Sequence, residues 1–178
     1  MADWKTLNTE TIYQNKWLRL DEDTVINPLG QQSIYSHFEL NSEFVSVVAI
    51  NDDDSIYLTQ QYRYPIQSLS WEIVSGQTDG QTVIQAAARE LMEETGLHAT
   101  SFEEVGGIYV DAGLSGSKGK VIIARGLSQA TDELDQLDGI TQAKPFPIAE
   151  IRRMIKDGEI QTPHTIAAFY IALEHMEK

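Results

Sequence analysis

The densest chemistry in the sequence is RELMEETGL, residues 89–97, which sets three glutamates and an arginine within six positions and closes on glycine. On a helix turning about 100° per residue from Ile84, Glu90 falls at about 240° and Glu94 at about 280°, so both carboxylates project side by side. Glu93 falls at about 180°, beside Arg89 four positions earlier, where the two suit an ion pair. Two carboxylates held together next to a buried face repel each other and lose hydration, at a cost of about 1 to several kcal/mol. A hard divalent cation relieves that cost, because magnesium takes one or two carboxylates together with water and phosphate oxygens. A solvated helix face would carry the same residues, since glutamate is a good helix former. Spacing alone leaves both readings open.

The element that must hold these side chains is well marked. Ile84, Ala87, Ala88, Leu91 and Thr95 share one stripe, Thr82 and Gln85 have the spacing of a capping box, and Gly96 stands where a left-handed C-cap belongs; together they predict a helix over 82–95. Ahead of it, FVSVVAI and SIYLTQQYRY, separated by NDDD, read as a hairpin of buried strands, and SLSWEIV as another strand. The first forty residues read as a β meander, TIYQNKWLRLDEDTVI and QQSIYSHFEL with NPLG as a turn. After the helix come EEVGGIYV and KGKVIIARGL as strands around the loop DAGLSGSKG, then the acidic surface loop TDELDQLDG. Two helices close the chain, PIAEIRRMIKDG ended by Gly158 and PHTIAAFYIALEHM begun near Pro163. No internal repeat or low-complexity tract is visible.

Bulk properties exclude several classes. With 178 residues, the chain holds one well-buried core. Its formal net charge of -14 repels phosphate backbones and anionic membranes, so neither nucleic acid nor membrane is an expected partner. The same field would repel a phosphorylated small molecule unless a cation stood between them. There is no cysteine, hence no disulfide framework and no cysteine zinc site. The opening MADWKTLNTE lacks the basic start and apolar core of a signal peptide, and no apolar run approaches the ~20 residues of a bilayer span. The expectation is a cytoplasmic protein.

RELMEETGL also resembles the second half of the Nudix box, G-x5-E-x7-R-E-U-x-E-E-x-G-U with U apolar, at every fixed position. SWEIVSG resembles the strand leading into that box, and QYRYP a segment of the ADP-ribose and nucleoside diphosphate sugar pyrophosphatase branch. The likeness covers residues 44–175 and is most specific over 60–97. The first half departs from the pattern: Gln81 occupies the glutamate position and Ser75 the glycine position, with Gly76 one place late, as in a loop shortened by one residue. Glutamine can still accept a hydrogen bond from Arg89.

The resemblance implies an α/β fold, an α/β/α sandwich around a mixed sheet over 43–178, preceded by the β meander of 1–42 as a dimerisation element of a homodimer. It implies Mg2+, with Mn2+ as an alternative, held by Glu90 and Glu94, by Glu93, and by the backbone oxygen of Ser75 or Gly76. Glu93 and Asp111 are the candidate general bases, and Arg89 belongs to the catalytic constellation as Glu93's partner. Arg63 is either a diphosphate clamp or a surface ion pair. Trp71 and Tyr64, with Tyr62, are either stacking surfaces or core. Glu72 resembles a family carboxylate near the metals, Lys118 and Lys120 flank the glycine-rich loop, and His164 reads as a helix-start or surface histidine. The implied reaction is metal-dependent hydrolysis of the diphosphate of ADP-ribose or a related nucleotide sugar. The alternatives are a nucleotide-sugar binding module with little turnover, and a dinucleoside polyphosphate or nucleoside triphosphate hydrolase.

Overall fold

Two asparagines punctuate the first forty residues of the computed structural model, which describes residues 3–131, 134 and 139–177. The Asn15 side-chain oxygen accepts the Trp17 and Leu18 N–H groups at 2.7 and 2.9 Å, turning strand β1 (Lys5–Gln14) into β2 (Leu18–Ile26). Asn27 does the same for Leu29 and Gln31, both at 3.0 Å, and Gly30 takes the left-handed φ of 78° that returns the chain into β3 (Gln32–Leu40). The result is an antiparallel sheet in the order β1-β2-β3. Residues 11–26, read as one segment from sequence, are therefore split by the Asn15 turn, an Asx-type signal the apolar pattern does not carry.

These strands form one compact unit, Met1–Glu43 with Tyr109–Lys118, and Phe44–Ile108 with Gly119–Lys178 form a second. Within the first, the loop 110–117 is fastened to β3. The Tyr35 hydroxyl donates to the Gly113 carbonyl at 2.6 Å, and Glu39 accepts the Gly116 N–H and the Ser117 hydroxyl at 2.9 and 3.0 Å.

The second unit follows from alternation in two strands. Strand β4 (Phe44–Ala49) is followed by β5 (Ile56–Arg63), a 3-10 turn at Tyr64–Ile66, β6 (Ser68–Glu72) and β7 (Val74–Gln77). Then come α1 (Val83–Thr95), β8 (Leu97–Tyr109), β9 (Lys118–Gln129), β10 (Ile140–Phe146), α2 (Ile148–Lys156) and α3 (Pro163–Met176). One sheet runs β7-β4-β9-β8, with β4 parallel to β9 and antiparallel to β7; the other runs β10-β5-β6, all antiparallel. Val45, Val47 and Ala49 of β4, with Ile122 and Ala124 of β9, pack on Ala86, Ala87 and Leu91 of α1. The alternate residues Val48, Val121 and Ile123 pack with Ile151 and Met154 of α2 and Phe169 of α3. Period-2 alternation thus gives the sheet two apolar faces and a helix layer on each, the α/β/α sandwich around a mixed sheet.

Four expectations need correction. The strands β4 and β5 are not a hairpin: they belong to different sheets, and the turn between them carries the isolated bridge Ile50↔Ile56. SLSWEIV is broken at Ile73, whose N–H donates to the buried Thr165 hydroxyl at 3.2 Å, so its halves also enter different sheets. Strand β10 was not anticipated, because Pro145 interrupts its pattern; it is an edge strand, where proline is tolerated. On α1 the buried residues are Ala86, Ala87, Glu90, Leu91, Glu94 and Thr95, while Ile84 and Ala88 are exposed. The buried face is rotated toward the glutamates and contains them. The acidic loop TDELDQLDG lies largely outside the described residues. Among those residues no helix is long and apolar enough to cross a membrane.

Candidate functional site

Helix α1 is fixed at both ends by its own sequence. The Thr82 hydroxyl accepts the Gln85 N–H at 3.3 Å and the Gln85 side chain accepts the Thr82 N–H at 3.1 Å, a complete capping box, and Gly96 ends the helix with φ 68°. With the ends set, Glu90 and Glu94 lie one turn apart on the buried face, each only 6% exposed. Glu90 occupies space left by Gly76: a β-carbon there would overlap its carboxylate. Gly76, one place beyond the expected position, is therefore the close-approach glycine of the shortened loop. Glu94 accepts the Thr59 hydroxyl at 3.1 Å and faces the Ser75 N–H at 3.5 Å, a long contact. Burial, and then the neighbouring Glu90 charge, push the Glu94 carboxyl up to about 8.

Arg89 braces the loop against the helix. Its Nε donates to Gln81 at 2.9 Å, Nη2 to the Gln77 carbonyl at 2.7 Å, and Nη1 lies 2.8 Å from both Glu93 Oε2 and Glu90 Oε1. A neutral glutamine thus serves as the Arg89 acceptor. Glu90 has the guanidinium beside it, whereas the groups that bond Glu94 are neutral. Glu93 shares the Arg89 guanidinium with Glu90, and its side chain is 43% exposed.

A second network lies on β5 and β6. Arg63 forks onto Glu72, Nε to Oε1 at 3.0 Å and Nη2 to Oε2 at 2.6 Å, and His164 Nε2 stands 3.2 Å from Oε2. Glu72 is only 1% exposed. Burial opposes its charge, but His164 and the Arg63 guanidinium outweigh burial and hold the carboxyl at about 2. Thr59, across the strand pair from Glu72, links this network to Glu94.

The remaining sequence candidates are distributed as follows. Trp71 meets Phe146 edge-on at 4.9 Å between ring centroids, and the Lys144 ammonium sits 5.0 Å from the Trp71 ring, so the ring packs within the β10-β5-β6 sheet. Trp71 also lines a cleft of about 490 Å³ with Ile66, Leu69, Glu159 and Thr162. Tyr64 is 81% exposed, in the 3-10 turn after β5, and Tyr62 is half exposed. Asp111 belongs to the first unit, where its carboxylate accepts the Gly113 N–H at 3.0 Å and caps the loop. Lys118 lies over Tyr109, and Lys120 pairs with Glu104 at 2.5 Å. Sequence reasoning missed Thr59 as a Glu94 partner and His164 as a Glu72 neighbour. Both contacts cross between elements far apart in the chain, and no local pattern announces them.

Among the described residues no three His, Asp or Glu side chains form a ready metal cluster. The donor set is a buried carboxylate pair beside a glycine-lined loop. That set fits a hard divalent ion that completes its shell with water and substrate oxygens. A cation at that point would favour the charged form of both carboxylates, against the burial and the Glu90 charge that raise Glu94.

Fold and site together define an α/β/α domain organised around a carboxylate-bearing helix. A NUDIX domain model matches residues 43–169 and a nucleoside diphosphate sugar hydrolase N-terminal domain model matches residues 4–38, so the chain belongs to the Nudix family, whose hydrolases are generally dependent on divalent metals. An ADP-ribose pyrophosphatase of Mycobacterium tuberculosis is 30% identical over 93% of this chain and 81% of its own length. A methanol dehydrogenase activator of Bacillus methanolicus is 29% identical over 98% of this chain and 95% of its own. The crystal structure of an ADP compounds hydrolase superposes with a TM-score of 0.85 at 23% identity, covering 98% of this chain and 94% of that one, and shares the fold.

Proposed function

We propose that this chain hydrolyses the diphosphate linkage of ADP-ribose or a related nucleoside diphosphate sugar, giving a nucleoside monophosphate and a sugar phosphate. The observation that carries the reading is the buried Glu90–Glu94 pair on α1, with Glu90 seated against Gly76. Glu90 and Glu94 would hold Mg2+, or Mn2+ in its place, with a further oxygen from the backbone at Ser75 or Gly76. A cation held there would offset diphosphate charge and make a neighbouring water more acidic. Arg63 presents a planar fork suited to two phosphate oxygens. Glu93 is the stronger candidate base, since it shares a helical turn with the ligands and keeps an exposed side chain even while Arg89 holds one of its oxygens. The Arg89–Gln81 bond favours an active enzyme over a binding module, because the brace is intact without the expected glutamate. The absence of cysteine suits a cytoplasmic setting.

The test is incubation with ADP-ribose, ADP-glucose, GDP-mannose, UDP-glucose, diadenosine polyphosphates and nucleoside triphosphates, with and without Mg2+, followed by product identification. Metal-dependent release of a nucleoside monophosphate from at least one diphosphate sugar is expected, with loss of at least ~100-fold in Glu94→Gln. Full activity in that variant would remove Glu94 from the ligand set.

A further inference from the structure

Glu72 is a buried carboxylate claimed from two sides. Arg63 binds both of its oxygens, and His164, the second residue of α3, brings Nε2 to 3.2 Å from Oε2. That Nε2 is buried and close enough to Oε2 to favour its charge, yet it lies off the line of a full hydrogen bond. Its position is held by structure: Thr165, the next residue, is fully buried and takes the Ile73 N–H, which pins the first turn of α3 to the bend between β6 and β7. A buried donor with a poorly made bond costs free energy, and a second arrangement that completes the bond is one way a protein recovers that cost.

We propose that His164 is a positioning residue that takes over Glu72 when Arg63 turns toward substrate; this rests on the reading of Arg63 as the diphosphate clamp. An arginine already forked on a carboxylate meets an anionic substrate only by loosening one of those bonds. Loosening Nη2 from Oε2 would leave an ionised oxygen buried beside few donors, which opposes binding. An imidazole with a proton on Nε2 is one small rotation from donating to that oxygen. His164 thereby lowers the cost of lending Arg63 to the diphosphate without touching the substrate.

Steady-state kinetics on ADP-ribose with Mg2+ test this in four variants: His164→Ala, His164→Gln, Arg63→Ala and the Arg63→Ala/His164→Ala double variant. His164→Ala is expected to raise KM about tenfold with kcat changed less than about twofold, the loss of one hydrogen bond to a charged group. His164→Gln, which can offer an amide N–H over a similar reach, should recover most of that loss. In the Arg63→Ala background, His164→Ala should add nothing further to KM, because there is no guanidinium to lend. A merely structural histidine would lower thermal stability and act equally in both backgrounds, and that result overturns the proposal. An unchanged KM in His164→Ala with a raised KM in Arg63→Ala overturns it while leaving the clamp standing. An unchanged KM in Arg63→Ala removes the clamp and the hand-over together.

Discussion

At the scale of single residues, two buried glutamates behave in opposite ways, and the difference is their company. Glu72, with Arg63 and His164 beside it, has a folded pKa near 2 against an ordinary 4.5. Its stabilisation is complete above 4.5 and lost as pH falls through 2. Glu94 is raised to about 8, so its unfolded form ionises first. The metal-free fold keeps its full stability from this group below 4.5 and loses it as pH rises through 8. Metal-free Glu94→Gln should therefore melt at least ~4 °C higher than wild type at pH 8.5, and within about 1 °C of it at pH 4.5, read by thermal unfolding with chelator. Added Mg2+ should raise the wild-type Tm more at pH 8.5 than at pH 5.5, and leave Glu94→Gln unmoved. Gly76→Ala makes a complementary case. The atoms that its β-carbon meets are the far end of a flexible side chain, so the fold should survive while the Glu90 carboxylate is displaced. A far-UV spectrum like wild type together with at least ~10-fold weaker metal activation would bear that out.

At the scale of elements, the loop between β7 and α1 is held by Arg89, whose bonds to Gln81 and to the Gln77 carbonyl at the end of β7 reach out from the helix. Gln81→Ala removes the Nε acceptor and should lower kcat/KM by about threefold to tenfold, while Gln81→Glu retains activity; equal rates in all three proteins would show that the loop needs no brace. How much of this was legible in the sequence depends on the range of the interaction. Helix α1 was readable to its caps, because Thr82, Gln85 and Gly96 act within one turn of the residues they fix. The carboxylate pair was readable from a single period. The partition of strands between two sheets was not, because β4 and β5 are adjacent in sequence and carry equally apolar patterns; what separates them is where β9 and β10 pair, more than fifty residues later. The tilt of the buried face toward Glu90 and Glu94 was hidden for a related reason. Burial of a glutamate depends on Gly76 and Thr59 making room and hydrogen bonds for it, and neither lies on the helix.

At the scale of the whole molecule, the N-terminal sheet poses a problem that one copy of its own unit does not solve. Every residue of β1 is exposed, and Trp4, Leu7, Ile12, Tyr13, Trp17 and Ile34 are each about half exposed or more within the first forty residues. Large apolar side chains gathered on so small a unit mark a surface that another surface covers, and an outer strand with unpaired backbone groups invites pairing. The molecule's net charge of -14 opposes association with acidic partners in general, so an interface between like copies must rest on apolar contact rather than charge. We propose a homodimer through β1, which would answer both conditions. Sedimentation at about 10 µM should then give the mass of two chains in low and high salt alike, since an apolar contact is little screened. An Ile12→Asp/Tyr13→Asp variant should sediment as a monomer with unchanged α1 chemistry, measured as Mg2+-dependent protection against unfolding. Because the carboxylate pair and its brace lie wholly within residues 59–94, a dimeric wild type whose monomeric variant still binds Mg2+ would separate assembly from metal binding. A wild type that is monomeric at that concentration would sink the assignment of β1 as the contact.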